Sequence, residues 1–265
     1  MECKFFGVCG AYPNNTSTAF NSKTACVTIE TDDAIIIFDA GSGLIDCGYS
    51  LINSTKPIFL CFSHFHHDHL IGLPHFYPLF NTSTTVNFVF PNKDKLKDVF
   101  NTMFSPTFFP LGINDFSCNY SFLTPKECEA FNIFLDTFTL NHPGGSIAYK
   151  LTTDQHCIVY ATDHEAIDNH DDFYTFNQNS SLYIADSWLF DEPAHLYKGW
   201  GHSSISDVLE IAEKSAVKHL ALFHHMPTRS VGYFEQLETF ITNYLKEKNN
   251  PFFCSIAKEG SSLAL

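Results

Sequence analysis

The sequence has few basic side chains for its length, and this shortage excludes one class of partner. Its 265 residues contain 15 Lys and Arg against 29 Asp and Glu, a formal net charge of −14. Such a chain repels a polyanion such as tRNA or DNA over long distances, so an extended nucleic-acid groove is disfavoured. A small phosphorylated substrate is not excluded, and the simplest interpretation of the acidic excess is a solvated, soluble surface.

The sequence also lacks paired cysteines and long apolar runs. Its nine cysteines form no C-x-x-C motif, and we interpret them as reduced thiols in the core. Residues 1–5 do not begin a basic region followed by an apolar stretch, and no segment approaches the ~18 apolar residues of a membrane helix. We therefore predict a cytoplasmic protein that does not enter a membrane.

No linker rich in Pro, Gly or Ser divides the chain, so we expect one domain over residues 1–265. Apolar runs and spacings of i, i+3, i+4 predict strands in clusters and a mixed α/β fold. The predicted strands are 4–8, 25–30, 34–38, 58–62, 131–140, 147–152, 157–161, 182–185, 220–223 and 251–256. The predicted helices are 91–104, 204–214 and 233–246, and another begins at Leu70.

Segment 63–69 contains four potential metal ligands directly after the apolar run 57–62, namely His64, His66, Asp68 and His69. A transition-metal hydrolase site needs neutral imidazoles and carboxylates on a rigid element. In an extended chain, positions 64, 66 and 68 point the same way, while 69 turns back. The alternative is a solvated His-rich turn. A metal site is favoured because further donors each follow a predicted strand: His142, Asp163 and His224.

This pattern resembles the metallo-β-lactamase superfamily, whose HxHxDH signature is matched by segment 64–69. The resemblance covers nearly the whole chain, including the glycines of segment 38–43, and implies a four-layer αββα sandwich with metals at one edge between the sheets. It implies that one metal is held by His64, His66 and His142, the other by Asp68, His69 and His224, and that Asp163 bridges them. His224 is preferred to His225 because of its position at the strand end.

By the same resemblance, two divalent ions share a hydroxide, and Asp68 is placed to accept its proton. We expect zinc, although manganese, iron and cobalt suit the same ligands.

Segment 199–204 resembles the GHST-type motif of ribonuclease Z and of smaller phosphodiesterase-like hydrolases. In those enzymes the motif His, here His202, stabilises the transition state and protonates the leaving oxygen. Asp186 resembles the acidic residue that orients it, and an imidazolium held in this way suits a phosphoryl transition state. The alternatives are a packed neighbour of a helix start for His202 and a turn residue for Asp186.

The short interval between His142 and Asp163 leaves no room for the tRNA-gripping arm of ribonuclease Z. We therefore predict a phosphodiesterase for a small phosphodiester, with a 3′,5′-cyclic nucleotide as the first candidate. The alternatives are an RNA endonuclease without the arm and a non-catalytic nucleotide-binding sensor. Phe108 and Phe109 either stack on a base or pack in the core. The prediction that the protein forms a homodimer depends on the resemblance alone.

Overall fold

The computed structural model describes residues 1–14, 20, 22–166, 171–190, 192, 194–249 and 251–265, which form two β-sheets. The first sheet has the order β13-β1-β2-β3-β4-β5-β6, with β1 (Glu2–Gly7), β2 (Cys26–Glu30), β3 (Ile35–Phe38), β4 (Ile58–Cys61), β5 (Thr85–Val89), β6 (Asn119–Leu123) and β13 (Ser262–Ala264). The second has the order β12-β11-β10-β9-β8-β7, with β7 (Phe134–Leu140), β8 (Ser146–Thr152), β9 (Cys157–Ala161), β10 (Leu182–Asp186), β11 (His219–Phe223) and β12 (Phe253–Ile256).

Helices cover the outer faces of both sheets. The first sheet carries α1 (Gly43–Ser50) and α2 (Lys93–Met103), and the second carries α3 (Asp171–Asn177), α4 (Ile205–Lys214) and α5 (Val231–Glu247). Between the sheets lies a third apolar cluster, to which Phe38 and Phe59 contribute from one sheet and Tyr160 and Phe223 from the other. The predicted four-layer αββα sandwich is therefore confirmed.

Each strand and helix predicted by a sequence range is present within a few residues of its predicted bounds. The helix predicted to begin at Leu70 is wrong, because the chain forms two short 3₁₀ turns there, His67–His69 and Leu73–His75. Instead of continuing a helix, the amide of Gly72 donates to the carbonyl oxygen of Ala40 at 2.9 Å. Strands β5, β6 and β13 and helices α1 and α3 had not been predicted.

None of the helices in the described ranges is both long and apolar enough to cross a bilayer. The cytoplasmic location and the single domain stay predictions.

Strand direction brings the ends of many strands to the same edge of the sandwich. Strands β3 to β6 are mutually parallel, and so are β9 to β12. Strand β7 runs in the direction of β9 because both are antiparallel to β8. The carboxyl ends of β7, β9, β10 and β11 therefore lie at one edge of the second sheet, where the chain continues to His142, Asp163 and His224 and where Asp186 ends β10. His64, which follows β4 of the first sheet, has its Nε2 3.9 Å from Oδ1 of Asp163, so the two sheets meet at this edge.

Candidate metal centre

Groups of potential ligands meet where the edges of the two sheets converge. Within each group the nitrogen or oxygen atoms lie within 4.8 Å of one another. The described residues form four such groups, of which two include Asp163 and the other two have the same members as the triads predicted from the sequence. The last two are the first group, His64, His66 and His142, and the second group, Asp68, His69 and His224.

Asp163 lies between the two groups and directs a different oxygen at each. Its Oδ1 is 3.9 Å from Nε2 of His64 and 3.8 Å from Nε2 of His142. Its Oδ2 is 3.2 Å from Nε2 of His69 and 3.3 Å from Nε2 of His224. The side chain is only 4% exposed, so this carboxylate depends on cationic or donor partners for its stabilisation.

Asp39, at the end of β3, sets the orientation of two histidines. Its Oδ2 accepts hydrogen bonds from Ser63 Oγ at 2.7 Å and Tyr160 O–H at 2.8 Å, and lies 2.8 Å from Nδ1 of His69. Because the Ser63 hydroxyl donates to Asp39, its oxygen is left to accept from Nδ1 of His64, at 3.0 Å. When these histidines are neutral, as metal ligands are, the proton of each is on Nδ1 and the lone pair of Nε2 faces the centre.

The donor set fits a divalent cation. Nε2 of His64 and Nε2 of His69 are buried without a hydrogen-bond partner in the described part of the chain. Nε2 of His69 also lies 3.2 Å from Oδ2 of Asp68. Burial by itself lowers the pKa of His69, but the carboxylates of Asp68, Asp163 and Asp39 outweigh it and raise the pKa well above its usual value, so positive charge is stabilised at this position. Imidazole nitrogens and carboxylate oxygens of this kind are the ligands of zinc and related transition metals.

Several residues of the site have the left-handed backbone conformation, which is rare for residues other than glycine. The φ angles are +63° at Asp39, +57° at Asp163 and +59° at His224, each within two residues of a strand end. Left-handed residues cluster at functional sites because the surrounding structure must compensate for their strain. Here the conformation bends the chain sharply as it leaves each strand.

His202 lies beside the second group and is held on two sides. Its Nδ1 is 2.6 Å from Oδ2 of Asp186, and its ring stacks on Trp188 with centroids 4.4 Å apart and planes at 11°. Burial by itself lowers the pKa of His202, but the charge and hydrogen bond of Asp186 outweigh it and raise the pKa to about 9 in the metal-free chain. His202 is therefore a cation at neutral pH in this state.

A glycine-containing loop connects His202 to the metal centre. The carbonyl oxygen of Gly201 accepts a hydrogen bond from Nδ1 of His142 at 3.0 Å, and the carboxylate of Glu165 accepts from the amides of Gly199 and Gly201. A β-carbon at Gly201 would lie 2.0 Å from Nδ1 of His142, so only glycine fits there.

The sequence profile of the beta-lactamase superfamily domain matches residues 36–225, which include all seven predicted metal ligands and both Asp186 and His202. The chain belongs to this superfamily. A search of curated protein sequences gave no significant match.

Several solved structures share the fold over nearly the full length of the chain. YhfI, a metallo-beta-lactamase fold protein from Bacillus subtilis, has a TM-score of 0.70 at 17% identity, covering 99% of each chain. The short form of human tRNase Z has a TM-score of 0.67 at 19% identity, covering 100% of this chain and 99% of its own. A diphosphatase of the PhnP family has a TM-score of 0.72 at 16% identity, covering 100% of this chain and 97% of its own.

In this superfamily member, His225 is not part of either ligand group. It is 1% exposed, its Nδ1 lies 3.1 Å from Ser187 Oγ, and its Nε2 donates to the carbonyl oxygen of Ala257 at 3.1 Å. Because burial disfavours the charged form, the pKa of His225 is lowered to about 4. The strand-end preference for His224 agrees with this geometry.

Phe108 and Phe109, the two residues considered for base stacking, differ in their surroundings. The ring of Phe109 packs against Phe104 and His75, next to the outer core of the first sheet, and Phe108 is exposed. These contacts favour the core interpretation for Phe109.

Sequence reasoning missed four residues that shape the site: Asp39, Trp188, Glu165 and Ala11, whose amide donates to Oδ2 of Asp68 at 2.8 Å. Three further histidines have no spacing that indicates a role: His164 is buried, and its carbonyl oxygen accepts a hydrogen bond from the Ser203 hydroxyl at 2.6 Å. His195 is exposed, and His170 lies outside the described residues. Asp39 lies within the glycine segment 38–43, which belongs to the family resemblance.

Proposed function

We propose that the chain is a dinuclear metal-dependent phosphodiesterase that hydrolyses a small phosphodiester, with a 3′,5′-cyclic mononucleotide as the first candidate. The observation that carries the proposal is the hydrogen bond between His202 and Asp186, at 2.6 Å, beside the two ligand groups. A histidine of this kind adds a proton donor that metal binding alone does not require.

The proposed ligands are His64, His66 and His142 for one ion, and Asp68, His69 and His224 for the other, with Asp163 shared. Two divalent ions, zinc by first expectation, would neutralise the phosphate charge and supply a hydroxide nucleophile near neutral pH. Asp39 keeps the Nε2 lone pairs of His64 and His69 directed inward, which limits the reorganisation that binding requires.

His202 acts at the leaving group. With Nδ1 bonded to Asp186, the other ring nitrogen of the imidazolium carries a proton that it can give to the departing oxygen. Stacking on Trp188 fixes the plane of the ring, so that this proton keeps one direction. The same positive charge stabilises the additional negative charge of the transition state.

The short segment between His142 and Asp163, two of the proposed ligands, favours a small ester over tRNA as the substrate. The segment between His142 and Asp163 consists of β8, β9 and the turns beside them, and Leu140 at the end of β7 pairs with Ser146 at the start of β8. No arm leaves the described chain in this interval. A tRNase Z and a diphosphatase share the fold, which supports phosphate-ester chemistry, and the net charge of −14 disfavours a long RNA.

The test compares wild-type protein with His202→Ala, each loaded with zinc or manganese and assayed for metal content on the same sample. Substrates are 3′,5′-cyclic AMP, bis-p-nitrophenyl phosphate and a tRNA precursor. We expect the wild type to hydrolyse the first two. Loss of His202 should lower kcat about 10²- to 10⁴-fold for cyclic AMP without metal loss.

The p-nitrophenyl ester is the internal control, because its leaving group departs without a proton. The variant should therefore lose less activity on this ester than on cyclic AMP. Equal activity of the wild type and His202→Ala on cyclic AMP would overturn the role of His202. Preferred cleavage of the tRNA precursor would instead favour the RNA endonuclease, and tight binding of intact cyclic AMP without turnover would favour the sensor.

A further inference from the structure

Trp200, whose indole side chain is exposed, is followed in the chain by a residue that contacts one of the proposed metal ligands. Trp200 is 56% exposed, whereas the other tryptophan, Trp188, is 6% exposed. The residue after Trp200 is Gly201, whose carbonyl oxygen accepts from Nδ1 of His142 at 3.0 Å. A large apolar side chain left in solvent at this point is a candidate for binding something other than the protein itself.

The loop that carries Trp200 contacts the first ligand group, and one member of that group is exposed. His66 is the exposed member of its group, and its Nδ1 is 3.1 Å from Nε2 of His142. A β-carbon on Gly144 would come no nearer than 3.8 Å to His66, and one on Gly145 would meet open space. Trp200 lies in the chain between Gly199 and Gly201, directly before the residue whose carbonyl oxygen contacts His142 and two positions before His202.

The backbone that carries Trp200 is fixed on both sides of the residue. The carboxylate of Glu165 accepts hydrogen bonds from the amides of Gly199, at 2.9 and 2.8 Å, and Gly201, at 3.0 Å. Tyr197 packs against the indole with ring centroids 5.2 Å apart and planes at 72°. A rigidly held aromatic side chain binds a partner at a low cost in conformational entropy.

We propose that Trp200 is a specificity-determining residue that stacks on the nucleobase of the ester, an inference that rests on the proposed phosphodiesterase function. Stacking on the flat face of a base does not need positive charge, which is scarce in this chain. The sequence has one arginine, Arg229, and that side chain is paired with Glu192 and with the carbonyl oxygen of Trp188. Phe109, the earlier candidate, packs against Phe104 and His75 instead.

The first test uses two esters with the same leaving group, thymidine 5′-(4-nitrophenyl phosphate) and methyl 4-nitrophenyl phosphate. Stacking on one base is worth about 5- to 150-fold in affinity. We expect Trp200→Ala to lower kcat/KM for the thymidine ester about 10-fold more than for the methyl ester, mainly through KM. Trp200→Phe should restore most of the difference.

The matched control is Phe253→Ala. Phe253 is 78% exposed, but it begins β12 and pairs with His219 at the start of β11, the opposite edge of the sheet from His224. This variant should leave both esters unchanged. Equal losses on the two esters in Trp200→Ala, or no loss on either, would overturn the stacking role.

A second measurement does not depend on turnover. Calorimetry compares adenosine 5′-monophosphate with ribose 5-phosphate, which lacks the base, on wild type and Trp200→Ala. The variant should weaken only the nucleotide, about 10-fold. If the wild type hydrolyses neither ester, the phosphodiesterase proposal fails, and calorimetry still decides the stacking role. If Trp200→Ala dissociates a dimer and leaves nucleotide affinity unchanged, the indole is an interface residue and the stacking role is wrong.

Discussion

Oδ2 of Asp39 lies 2.8 Å from Nδ1 of His69, although Asp39 itself is in neither ligand group. The same oxygen accepts from Ser63, whose hydroxyl oxygen is 3.0 Å from Nδ1 of His64. One buried carboxylate thus determines the tautomer of a histidine in each group. Carboxylates that support metal-binding histidines in this way commonly strengthen metal binding.

Asp39→Asn should weaken metal binding about 10- to 100-fold, because the amide offers one acceptor oxygen where the carboxylate offers two. Metal affinity can be measured by competition with a chromophoric chelator. The control is Asp33→Asn, an exposed residue in the turn between β2 and β3, which should bind metal like the wild type. Unchanged affinity in Asp39→Asn would show that the tautomers are set by other contacts.

Gly199 and Gly201 form a matched pair for testing the loop beside His142. Their φ angles are +83° and +85°, so alanine at either position costs roughly 1–2 kcal/mol of backbone strain. A β-carbon at Gly199 meets nothing within 4 Å, whereas one at Gly201 would lie 2.0 Å from Nδ1 of His142. Gly201→Ala should therefore lose metal and activity, and Gly199→Ala should keep its metal content. Equal metal content in the two variants would contradict this.

Arg229 should be needed to keep Trp188 against His202. Its guanidinium donates to the carbonyl oxygen of Trp188 at 3.0 Å, pairs with Glu192 and lies 4.3 Å from the ring centre of Tyr233. Arg229→Gln should reduce kcat and lower the free energy of unfolding by about 1–3 kcal/mol, because the pair is largely buried. Denaturant unfolding and steady-state kinetics measure the two effects.

The control for Arg229 is Lys126→Gln, which removes an exposed i,i+3 pair with Glu129 and should change stability by less than ~0.5 kcal/mol. If Arg229→Gln unfolds more readily but keeps the wild-type kcat, the ion pair stabilises the fold without orienting His202.

His225 should make the metal-free protein less stable in mild acid. Its pKa is lowered from about 6.5 to about 4 in the folded chain, so its contribution is complete above pH 6.5 and is lost as the pH falls towards 4. Between pH 7.5 and 5.5 the wild type should lose about 1 kcal/mol more unfolding free energy than His225→Gln. Urea unfolding in the presence of a chelator measures this difference, and identical losses in both proteins would exclude the linkage.

The sequence alone determined the fold class and the ligand candidates, because both depend on local patterns. Apolar runs and helical periodicity gave most strands and helices, and each proposed ligand follows a strand or belongs to the 64–69 signature. Parallel strands end at one edge of a sheet, so residues after strands converge without any knowledge of the packing. Strands β5, β6 and β13 were not predicted, because short sequences such as that of β6 show no clear alternation of apolar and polar residues.

Only the tertiary structure decided which residues support the site. Asp39 meets Tyr160 across the space between the sheets, and Trp188 stacks on His202 from another loop. Such contacts join distant positions and leave no periodic trace in the sequence. The same holds for the neighbours His224 and His225. A left-handed backbone at the end of β11 directs the ring of His224 towards Asp68 and Asp163, two of the proposed ligands, and leaves the ring of His225 in the core.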